Sequence, residues 1–384
     1  MNLTDQLDRL AAYEPSSFPV VSLYLNTRPG QHGRDQHQAF IRKEFKARSG
    51  TYPAGSPERE SLERDLGRIA QYLETELQVS SNGLAVFACS GSGFFEAIQT
   101  QAPIDHHWLS ISDRPHLYPL ARLESQYPRY AALLIDTNTA RILVFAAGGL
   151  VKSREISGVK TRRTSEGGWS QARFQRHVNN VHLQHTKEVV EALEKIVAQE
   201  GITQIVVAGD EVITPLLREQ MPKHLADKII DHVRLDTHAS LQHVVAVSLD
   251  AMRRMNDRTD REKVEAAVGA YRAGGLGVVG PEEALSALLK GQVDELLLSA
   301  TMNSLREVSV LPAELAAVND STLGEAAIDT IAAGEPAGAR PQVVRLADEL
   351  VTKAKQTGAR TTFVEDPSLL AGYGGVAALL RFRI

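Results

Sequence analysis

Residues 130–145 read YAALLIDTNTARILVF, and this stretch decides the fold class of the region around it. Two apolar runs, 130–135 and 140–145, flank the polar turn Asp136-Thr137-Asn138-Thr139. Apolar runs on both sides of a short polar turn are typical of a β-hairpin. We therefore expect two antiparallel strands here, beginning a new unit after Pro128.

Helix and strand signals alternate after this hairpin. A helical face is predicted from apolar residues at helical spacing, namely Val190, Leu193, Ile196 and Val197. The run IVVAG at 205–209 follows as a buried strand. A strand hairpin, a helix and a further strand indicate an α/β unit.

The N-terminal part shows the same alternation. Residues 19–25 (PVVSLYL) and 83–89 (GLAVFAC) read as buried strands. Between them a helical face is formed by Leu62, Leu66, Ile69, Leu73 and Leu77. The first unit is therefore also predicted to be α/β.

A third unit is expected from about residue 256. Pro281 followed by two glutamates opens a helix, and Leu296 to Leu298 forms a strand core. A Gly/Ala-rich acidic stretch at 312–340 reads as a loop, and Arg360 to Val364 as the last strand. A helix ending at Gly358 is predicted from the spacing of Val344, Ala347, Leu350, Val351 and Ala354.

Charge is distributed unevenly along the chain. The length of 384 residues suggests two or three folded domains, and the whole chain carries a formal net charge of −5. Between Arg129 and Lys187, however, ten basic residues face only three acidic ones, a net +7. A basic stretch in an acidic protein indicates a contact with a polyanion such as a phosphate backbone. The alternative is a solvated face of paired charges.

Several classes of protein are not expected. Cys89 is the single cysteine, so neither an internal disulfide nor a thiolate cluster can form. The chain begins without a basic region followed by an apolar core, and contains no apolar run long enough to cross a bilayer. A cytoplasmic protein with no membrane partner is therefore predicted.

The basic stretch contains a distinctive segment, RRTSEGGWSQARFQRH at 162–177. The whole of 152–176 lacks an apolar period and reads as a long irregular loop. Within it, Gly167 and Gly168 permit free turning and close approach to another molecule. From Ser170, a candidate N-cap, the chain can enter a helix, whose N-terminus beside arginines suits a phosphate. A flexible surface loop is the alternative.

Two other patterns are set aside. Residues 275–280 (GLGVVG) match the dinucleotide-binding glycine pattern, but a helix precedes them where a strand is needed. A helix C-cap followed by a turn and a short strand explains them better. His177, His182 and His185 do not share one helix face and have no acidic partner nearby. No metal site and no cofactor are predicted.

The residues from 130 to 298 resemble the middle and last domains of the archaeo-eukaryotic peptide-chain release factors, Pelota and their bacterial relatives. In that family a strand hairpin leads into a basic loop with Gly-Gly-Gln, then Ser-Ala-x-Arg-Phe-x-Arg and a long helix. Here Gly167-Gly168 and the run ARFQR at 172–176 reproduce much of that motif. Further likenesses lie at 21–25, 82–87, 283–296 and in the run GYGGVAALLRF at 372–382.

The resemblance implies a three-domain α/β architecture. It divides the chain into an N-terminal α/β domain (1–128), a middle domain carrying the Gly-Gly-x-x-Gln loop (129–255) and a C-terminal domain (256–384). By the same resemblance, the middle domain is expected to be RNase H-like and the C-terminal domain ribosomal-protein-L7Ae-like.

Two departures refine the function that the resemblance implies. Trp169 and Ser170 separate the glycine pair from Gln171, a spacing closer to the tRNA hydrolase of ribosome quality control and its bacterial counterparts. The first domain contains no Asn-Ile-Lys-Ser or comparable stop-codon motif, and Gln38 to Gly50 is instead rich in Arg and Lys. Codon-independent engagement of stalled ribosomes is therefore expected.

The expected activity is hydrolysis of the ester in peptidyl-tRNA. The resemblance implies catalytic roles for Gly167, Gly168 and Gln171. Contacts with nucleic acid are expected of five residues, namely Arg162, Arg163, Trp169, Arg173 and Arg176. The expected partners are the ribosome, through large-subunit rRNA and the P-site tRNA, and a translational GTPase.

Two other functions remain open at this point. One is a non-catalytic Pelota-like rescue or hibernation factor that occupies the acceptor site of the ribosome. The other is an RNA-binding or scaffold protein that has kept the fold and no longer binds ribosomes.

Overall fold

The computed structural model describes residues 3–28, 36–158, 169–306 and 341–383. The chain divides into two compact units, one made of residues 1–126 with 257–384 and the other of residues 127–256. The predicted loop at 312–340 lies outside the described residues. Both units mix helices with sheets, as the sequence predicts.

The N-terminal part of the first unit is a four-stranded antiparallel sheet with four helices. The sheet order is β3-β2-β1-β4, with β1 (Val20–Asn26), β2 (Gly83–Cys89), β3 (Phe94–Thr100) and β4 (Trp108–Ser112). The helices are α1 (Leu3–Ala11), α2 (Gln36–Arg48), α3 (Pro57–Thr75) and α4 (Tyr118–Gln126). Strands β1 and β2 and the helix α3 confirm the elements predicted for this part.

The local sequence explains why α3 forms a helix where it does. The Ser56 side chain caps it by accepting from the backbone N–H of Arg59 at 3.2 Å, and Pro57 occupies the first turn. Acidic residues in that turn interact favourably with the positive end of the helix dipole and stabilise the helix. The buried face of α3, formed by Leu62, Leu66 and Ile69, packs on the sheet.

The second unit is built on a five-stranded mixed sheet. Its order is β7-β6-β5-β8-β9, with β5 (Tyr130–Ile135), β6 (Thr139–Ala146), β7 (Gly149–Ser157), β8 (Gln204–Gly209) and β9 (Ile229–Val233). Strands β5, β6 and β7 are antiparallel, whereas β5, β8 and β9 are parallel. Its helices are α5 (Trp169–Gln199), α6 (Ile213–Gln220), α7 (Lys223–Ala226) and the start of α8 (Leu241–Arg272).

Helices cover both faces of this sheet. Alternate residues of β5 point to opposite sides, as strand geometry requires. Leu133 packs with Leu193 of α5 and Ile213 of α6, all fully buried. Leu134 lies in the other cluster, with Val244 of α8. The apolar runs that predict β5, β6 and β8 are thus buried on two sides, which explains their continuous hydrophobicity.

The C-terminal part of the first unit contains a second four-stranded sheet, in the order β10-β13-β11-β12. Its strands are β10 (Gly277–Val279), β11 (Val293–Ser299), β12 (Arg360–Val364) and β13 (Val376–Leu380). The pair β11–β12 is parallel and the other pairs are antiparallel. Helices α9 (Pro281–Leu289) and α10 (Pro341–Gln356) belong to this part, as the sequence predicts.

Three details of the structure differ from the sequence-based expectations. Residues 152–157, predicted as irregular loop, belong to the edge strand β7. Backbone pairing with β6 holds them in the sheet, so they need no apolar pattern of their own. Arg360 to Val364 is a strand but not the last, since β13 follows it between β10 and β11. Helix α5 begins at Trp169, so Ser170 lies inside the helix and is not its N-cap.

The predicted three-domain division remains a prediction. Helix α8 runs without interruption through the predicted boundary at 255/256. It begins in the second unit and ends in the first. A domain boundary at this point would therefore fall inside a continuous helix.

The dinucleotide-like glycines at 275–280 are explained by packing. Helix α8 ends at Arg272, Gly274 adopts a left-handed φ of 67°, and β10 begins at Gly277. A Cβ at Gly277 would lie 2.3 Å from the carbonyl oxygen of Ala267 and 2.6 Å from the backbone nitrogen of Tyr271. Gly277 is therefore required by the close approach of β10 to α8.

Replacing Gly277 with alanine should lower the free energy of unfolding by about 1–3 kcal/mol, because backbone atoms of α8 must move. Gly275→Ala is the matched control, since its Cβ would lie 3.4 Å from the nearest atom, the carbonyl oxygen of Ala270. That control should change stability by no more than about 0.5 kcal/mol. Urea denaturation measures both, and equal midpoints would contradict the packing explanation.

Candidate nucleic-acid interface

The residues predicted to carry the chemistry lie at the start of α5 and just before it. Gln171 is the third residue of this helix, which begins at Trp169. For Trp169, Gln171 and Arg173 the helical backbone is described, and their side chains lie outside the described part. The other predicted residues before the helix lie wholly outside it, namely Arg162, Arg163, Gly167 and Gly168.

The N-terminus of α5 is electrostatically suited to an anion. The first backbone N–H groups of a helix have no intrahelical acceptor and carry the positive end of the helix dipole. The first turn of α5, residues 169–172, contains no acidic residue that would compete for them. Arg176 lies about two turns into the helix and is exposed. Arg154 on β7 and Lys187 on α5 are further exposed cations of the basic stretch.

Three cations of the basic stretch have structural roles instead. Arg129 and Lys152 both pair with Glu200 just beyond the end of α5, Lys152 at 2.8 Å. The hydrogen bond from Lys152, followed by that from Arg129, lowers the pKa of the Glu200 carboxyl. Arg141 donates to the backbone oxygens of Thr237 and Ala239 at 2.8 and 3.0 Å.

The positive charge available to a polyanion is therefore smaller than the sequence count of +7. Glu200 lies outside the stretch from Arg129 to Lys187, so no pattern within that stretch could reveal it. Within the described residues, Arg129, Arg141 and Lys152 are bound to other groups of the protein, whereas Arg154 and Lys187 are exposed.

The Asp136 carboxylate organises the hairpin turn between β5 and β6. One oxygen accepts from the backbone N–H groups of Asn138 and Thr139 at 2.7 and 2.8 Å. The other accepts from the hydroxyls of Thr139 and Thr237 at 2.9 and 2.7 Å. Burial raises the pKa of Asp136, but these hydrogen bonds outweigh burial and bring the pKa below its usual value.

The end of β7 is tied to this turn. The backbone N–H of Gly158 donates to the carbonyl oxygen of Asn138 at 2.6 Å. A Cβ at Gly158 would lie 3.0 Å from Nδ1 of His185, so the His185 ring on α5 lies directly beside Gly158. The chain thus leaves β7 toward residue 159 from a point fixed by the turn and by α5.

The three histidines of α5 do not form a common site. His177 is exposed, whereas His182 and His185 are buried. Neither ring nitrogen of His185 has a hydrogen-bond partner within the described ranges. Among the residues that the structure describes, no three potential ligands come together to hold a metal ion. No helix in the same ranges has the length and apolar character needed to cross a membrane.

Residues 115–254 match the family model of bacterial archaeo-eukaryotic release factor family 10. The chain is a relative of the archaeo-eukaryotic peptide-chain release factors. This confirms the family relationship predicted from the glycine-containing segment, which lies within the matched residues. The matched residues include the glycine pair and Gln171, so this part of the chain is similar to the bacterial release-factor-like proteins.

Comparisons over longer parts of the chain agree with this relationship. The release factor relative is 23% identical to peptide chain release factor subunit 1 of Methanobrevibacter smithii over 357 residues, 85% of each chain. It is 25% identical to the uncharacterized protein YocB of Bacillus subtilis over 242 residues, 59% of this chain and 91% of YocB.

The solved structures that the chain matches include a model of ribosome-bound archaeal Pelota and ABCE1, at 15% identity and a TM-score of 0.40. That comparison covers 99% of this chain and 94% of the other. Dom34 of S. cerevisiae, described as interacting with Hbs1, is 10% identical with a TM-score of 0.39 over 79% of each chain.

Proposed function

We propose that this release factor relative hydrolyses peptidyl-tRNA on stalled ribosomes without reading a codon. The observation that carries the proposal is the position of Gln171 in the first turn of α5. It follows the glycine pair after Trp169 and Ser170, within the segment that matches the release-factor family. A carboxamide at this position would stand at the tip of an element suited to anions.

The chemistry required is attack of water on the ester between the nascent peptide and the 3′ end of tRNA. This reaction passes through a tetrahedral oxyanion, which donors placed in advance stabilise. In the proposal, Gly167 and Gly168 allow the segment to enter the RNA-lined peptidyl-transferase centre. Gln171 orients the water, and backbone N–H groups at the start of α5 lie near the developing negative charge.

Proton transfer is assigned to RNA hydroxyls or water. The segment 162–177 contains a single carboxylate, Glu166, and a histidine at its far end. Neither is assigned a role in the release-factor motif that the segment resembles. The protein would therefore supply positioning and electrostatic stabilisation rather than a general base.

The arginines of this segment are assigned to RNA phosphates. Arg162, Arg163, Arg173 and Arg176 would hold rRNA or tRNA backbone, while Trp169 would stack on a base. The proposed partners are the large-subunit rRNA and the P-site tRNA, with a translational GTPase as a further partner. A cytoplasmic location follows from these partners and stays a prediction.

The proposal includes the finer architecture implied by the family resemblance. Within residues 129–255, a three-stranded antiparallel meander followed by two parallel strands supports an RNase H-like domain. The C-terminal sheet with α9 and α10 supports assignment of an L7Ae-like domain. The absence of a stop-codon motif from residues 1–128 supports codon-independent action.

Peptide release from stalled ribosomes tests the function directly. Ribosomes stalled on a message without a stop codon, carrying labelled peptidyl-tRNA, are incubated with the purified protein. Puromycin serves as the control that the peptidyl-tRNA is reactive. We expect release well above the spontaneous rate, both with and without a stop codon in the acceptor site. Release only with a stop codon would contradict codon independence.

A non-catalytic Pelota-like rescue or hibernation factor is the second candidate. The observation that favours it is the insertion of Trp169 and Ser170 between the glycine pair and Gln171, with α5 already begun at Trp169. This candidate predicts binding to the acceptor site of ribosomes with the ester left intact. If the protein sediments with ribosomes but releases no peptide, the second candidate replaces the first. Absence from ribosomal fractions would favour a scaffold protein.

Replacing Arg176 with glutamine should weaken ribosome binding and reduce its salt dependence. Each phosphate contact contributes about 0.7–0.9 to the slope of log K against log salt, so the slope should fall by about that amount. Arg253→Gln is the matched control, because Arg253 is exposed on α8 outside the basic stretch. Sedimentation at several salt concentrations measures both slopes, and equal slopes would remove Arg176 from the interface.

A further inference from the structure

Helix α2 of the first unit exposes a stripe of residues that carries positive charge and no negative charge. Six exposed residues at helical spacing form this basic stripe, namely Gln38, Ala39, Arg42, Lys43, Lys46 and Ala47. The opposite side of α2 packs on the core of the N-terminal part through Phe40, Ile41 and Phe45. Among the described side chains of α2, the basic stripe is therefore the side that faces solvent.

The single carboxylate of α2 does not neutralise the basic stripe. The Glu44 side chain is only 3% exposed and lies 3.7 Å from Arg48, outside the stripe, and 3.8 Å from Lys43. Among the residues that the structure describes, neither Arg42 nor Lys46 forms an ion pair. These two cations are one helical turn apart and repel each other. An external anion would relieve that repulsion.

The surroundings of the basic stripe are acidic. Residues 36–50 carry four cations against one carboxylate, whereas the other residues of 1–126 carry fourteen Asp or Glu and eight Lys or Arg. Helix α3 shows the ordinary pattern of a solvated face, because its exposed charges are of both signs, namely Glu60, Glu63, Arg64 and Arg68. The basic stripe of α2 lacks this mixture, so simple solvation does not explain it.

The composition of the basic stripe favours a phosphate backbone over a protein surface or a lipid bilayer. Protein interfaces have an apolar or aromatic centre and are poor in lysine, and the stripe has no apolar side chain larger than alanine. A helix that lies on a bilayer inserts its apolar side, but Ile41 is only 9% exposed and belongs to the core. Phosphates need only accessible cations, and the small Ala39 and Ala47 leave room for close approach.

We propose that the basic stripe of α2 binds the phosphate backbone of RNA. Contacts with phosphates fix position and carry no sequence information. Binding through this surface is therefore independent of the bases, which agrees with the absence of a stop-codon motif from residues 1–128. A single strand and a duplex present the same phosphates, so either can be the source. Neither requires ester cleavage, so this surface stands or falls separately from the proposed function.

RNA binding by the full-length protein tests this surface without ribosomes or peptidyl-tRNA. The variant Arg42→Gln/Lys43→Gln/Lys46→Gln removes the three cations and keeps helix-forming side chains. Parent and variant are titrated at several salt concentrations with labelled oligouridylate and with two labelled RNA hairpins of equal length and different sequence. Fluorescence anisotropy measures the affinity. The probe whose binding weakens in the variant identifies the source as a single strand or a duplex.

We expect the variant to bind RNA about tenfold more weakly than the parent at the lowest salt concentration. The slope of log K against log salt should fall by about 2, because each lost phosphate contact contributes about 0.7–0.9. The parent should bind the two hairpins with Kd values within about twofold of each other, because phosphate contacts do not distinguish sequences.

Arg253→Gln/Arg258→Gln/Arg261→Gln is the matched control. It removes the same charge from exposed positions of α8, where Asp257 and Glu262 are interspersed with the arginines. Its Kd should stay within about threefold of the parent, since charges among carboxylates contribute little to binding a polyanion.

Labelled polyglutamate tests an acidic protein as the partner, and phosphatidylcholine vesicles containing phosphatidylserine test a lipid surface. We expect both to bind the parent protein more weakly than RNA at the same salt concentration. The proposal is overturned if the parent binds none of the RNA probes, or if the stripe variant binds them like the parent. It is also overturned if the control variant loses as much affinity, or if polyglutamate or vesicles bind as tightly as RNA.

Discussion

Replacing Gln171 with alanine should slow peptide release by about 10²–10³-fold while ribosome binding stays within about twofold. This is the loss expected when one group that positions or stabilises a tetrahedral oxyanion is removed. Alanine favours helix, so the start of α5 should persist and the change is confined to the carboxamide. The measurement is single-turnover release of labelled peptide, with sedimentation as the binding assay.

Gln175→Ala is the matched control for this prediction. It makes the same substitution one turn further along α5, outside the glycine–glutamine spacing. We expect its release rate to remain within about threefold of the parent protein, since it removes no group assigned to the oxyanion. Undiminished release by Gln171→Ala would remove the catalytic assignment. Equal losses in both variants would point to a general effect on α5 instead.

The strands that the sequence predicts best are those buried on both faces. The runs at 130–135, 140–145 and 205–209 are continuously apolar because helices cover each side of the sheet. The turn between the first two was equally predictable, because Asp136 and Thr139 make local hydrogen bonds within it. Local patterns therefore identify these elements well.

Strand β7 could not be predicted in the same way. Six of its nine residues are exposed, and its polar residues Lys152 to Glu155 read as loop. Backbone pairing with β6, in which Glu155 lies opposite Arg141, holds β7 in the sheet. An edge strand of this kind is specified by its partner rather than by its own hydrophobicity.

Strand β13 could not be predicted either, although its residues are apolar where those of β7 are polar. Val376 to Leu380 is a short, alanine-rich apolar run, which local pattern alone cannot assign to helix or strand. Its position between β10 and β11 settles the assignment, and both partners lie more than 75 residues earlier in the chain.

The candidate interface was only partly predictable for a related reason. Motif spacing located Gln171 and the arginines, and the helix that begins at Trp169 follows from the same residues. The pairing of Arg129 and Lys152 with Glu200 depends on the end of α5 returning to the sheet. Only the folded chain shows which cations remain exposed.

Replacing Asp348 with alanine should lower the free energy of unfolding by about 2–4 kcal/mol, because a donor left without its acceptor in a buried site costs about 1–3 kcal/mol and Asp348 accepts from several. Asp348 on α10 accepts from His116 Nδ1 at 2.6 Å and from the backbone N–H groups of Leu117 and Tyr118 at 2.9 and 3.0 Å. It therefore caps the start of α4 from a helix more than 200 residues away in the chain.

The size of this loss follows from what remains behind. His116 is 1% exposed and its Nε2 already has no partner within the described ranges, so losing Asp348 leaves the whole ring unsatisfied. Asp348→Asn keeps an acceptor for the start of α4 and should cost less, about 1–2 kcal/mol. The exposed Asp257 on α8 is the matched control, and Asp257→Ala should stay within about 0.5 kcal/mol. Urea denaturation ranks the three variants, and an Asp348→Ala protein as stable as the Asp257 control would show that Asp348 does not hold α10 to the N-terminal part.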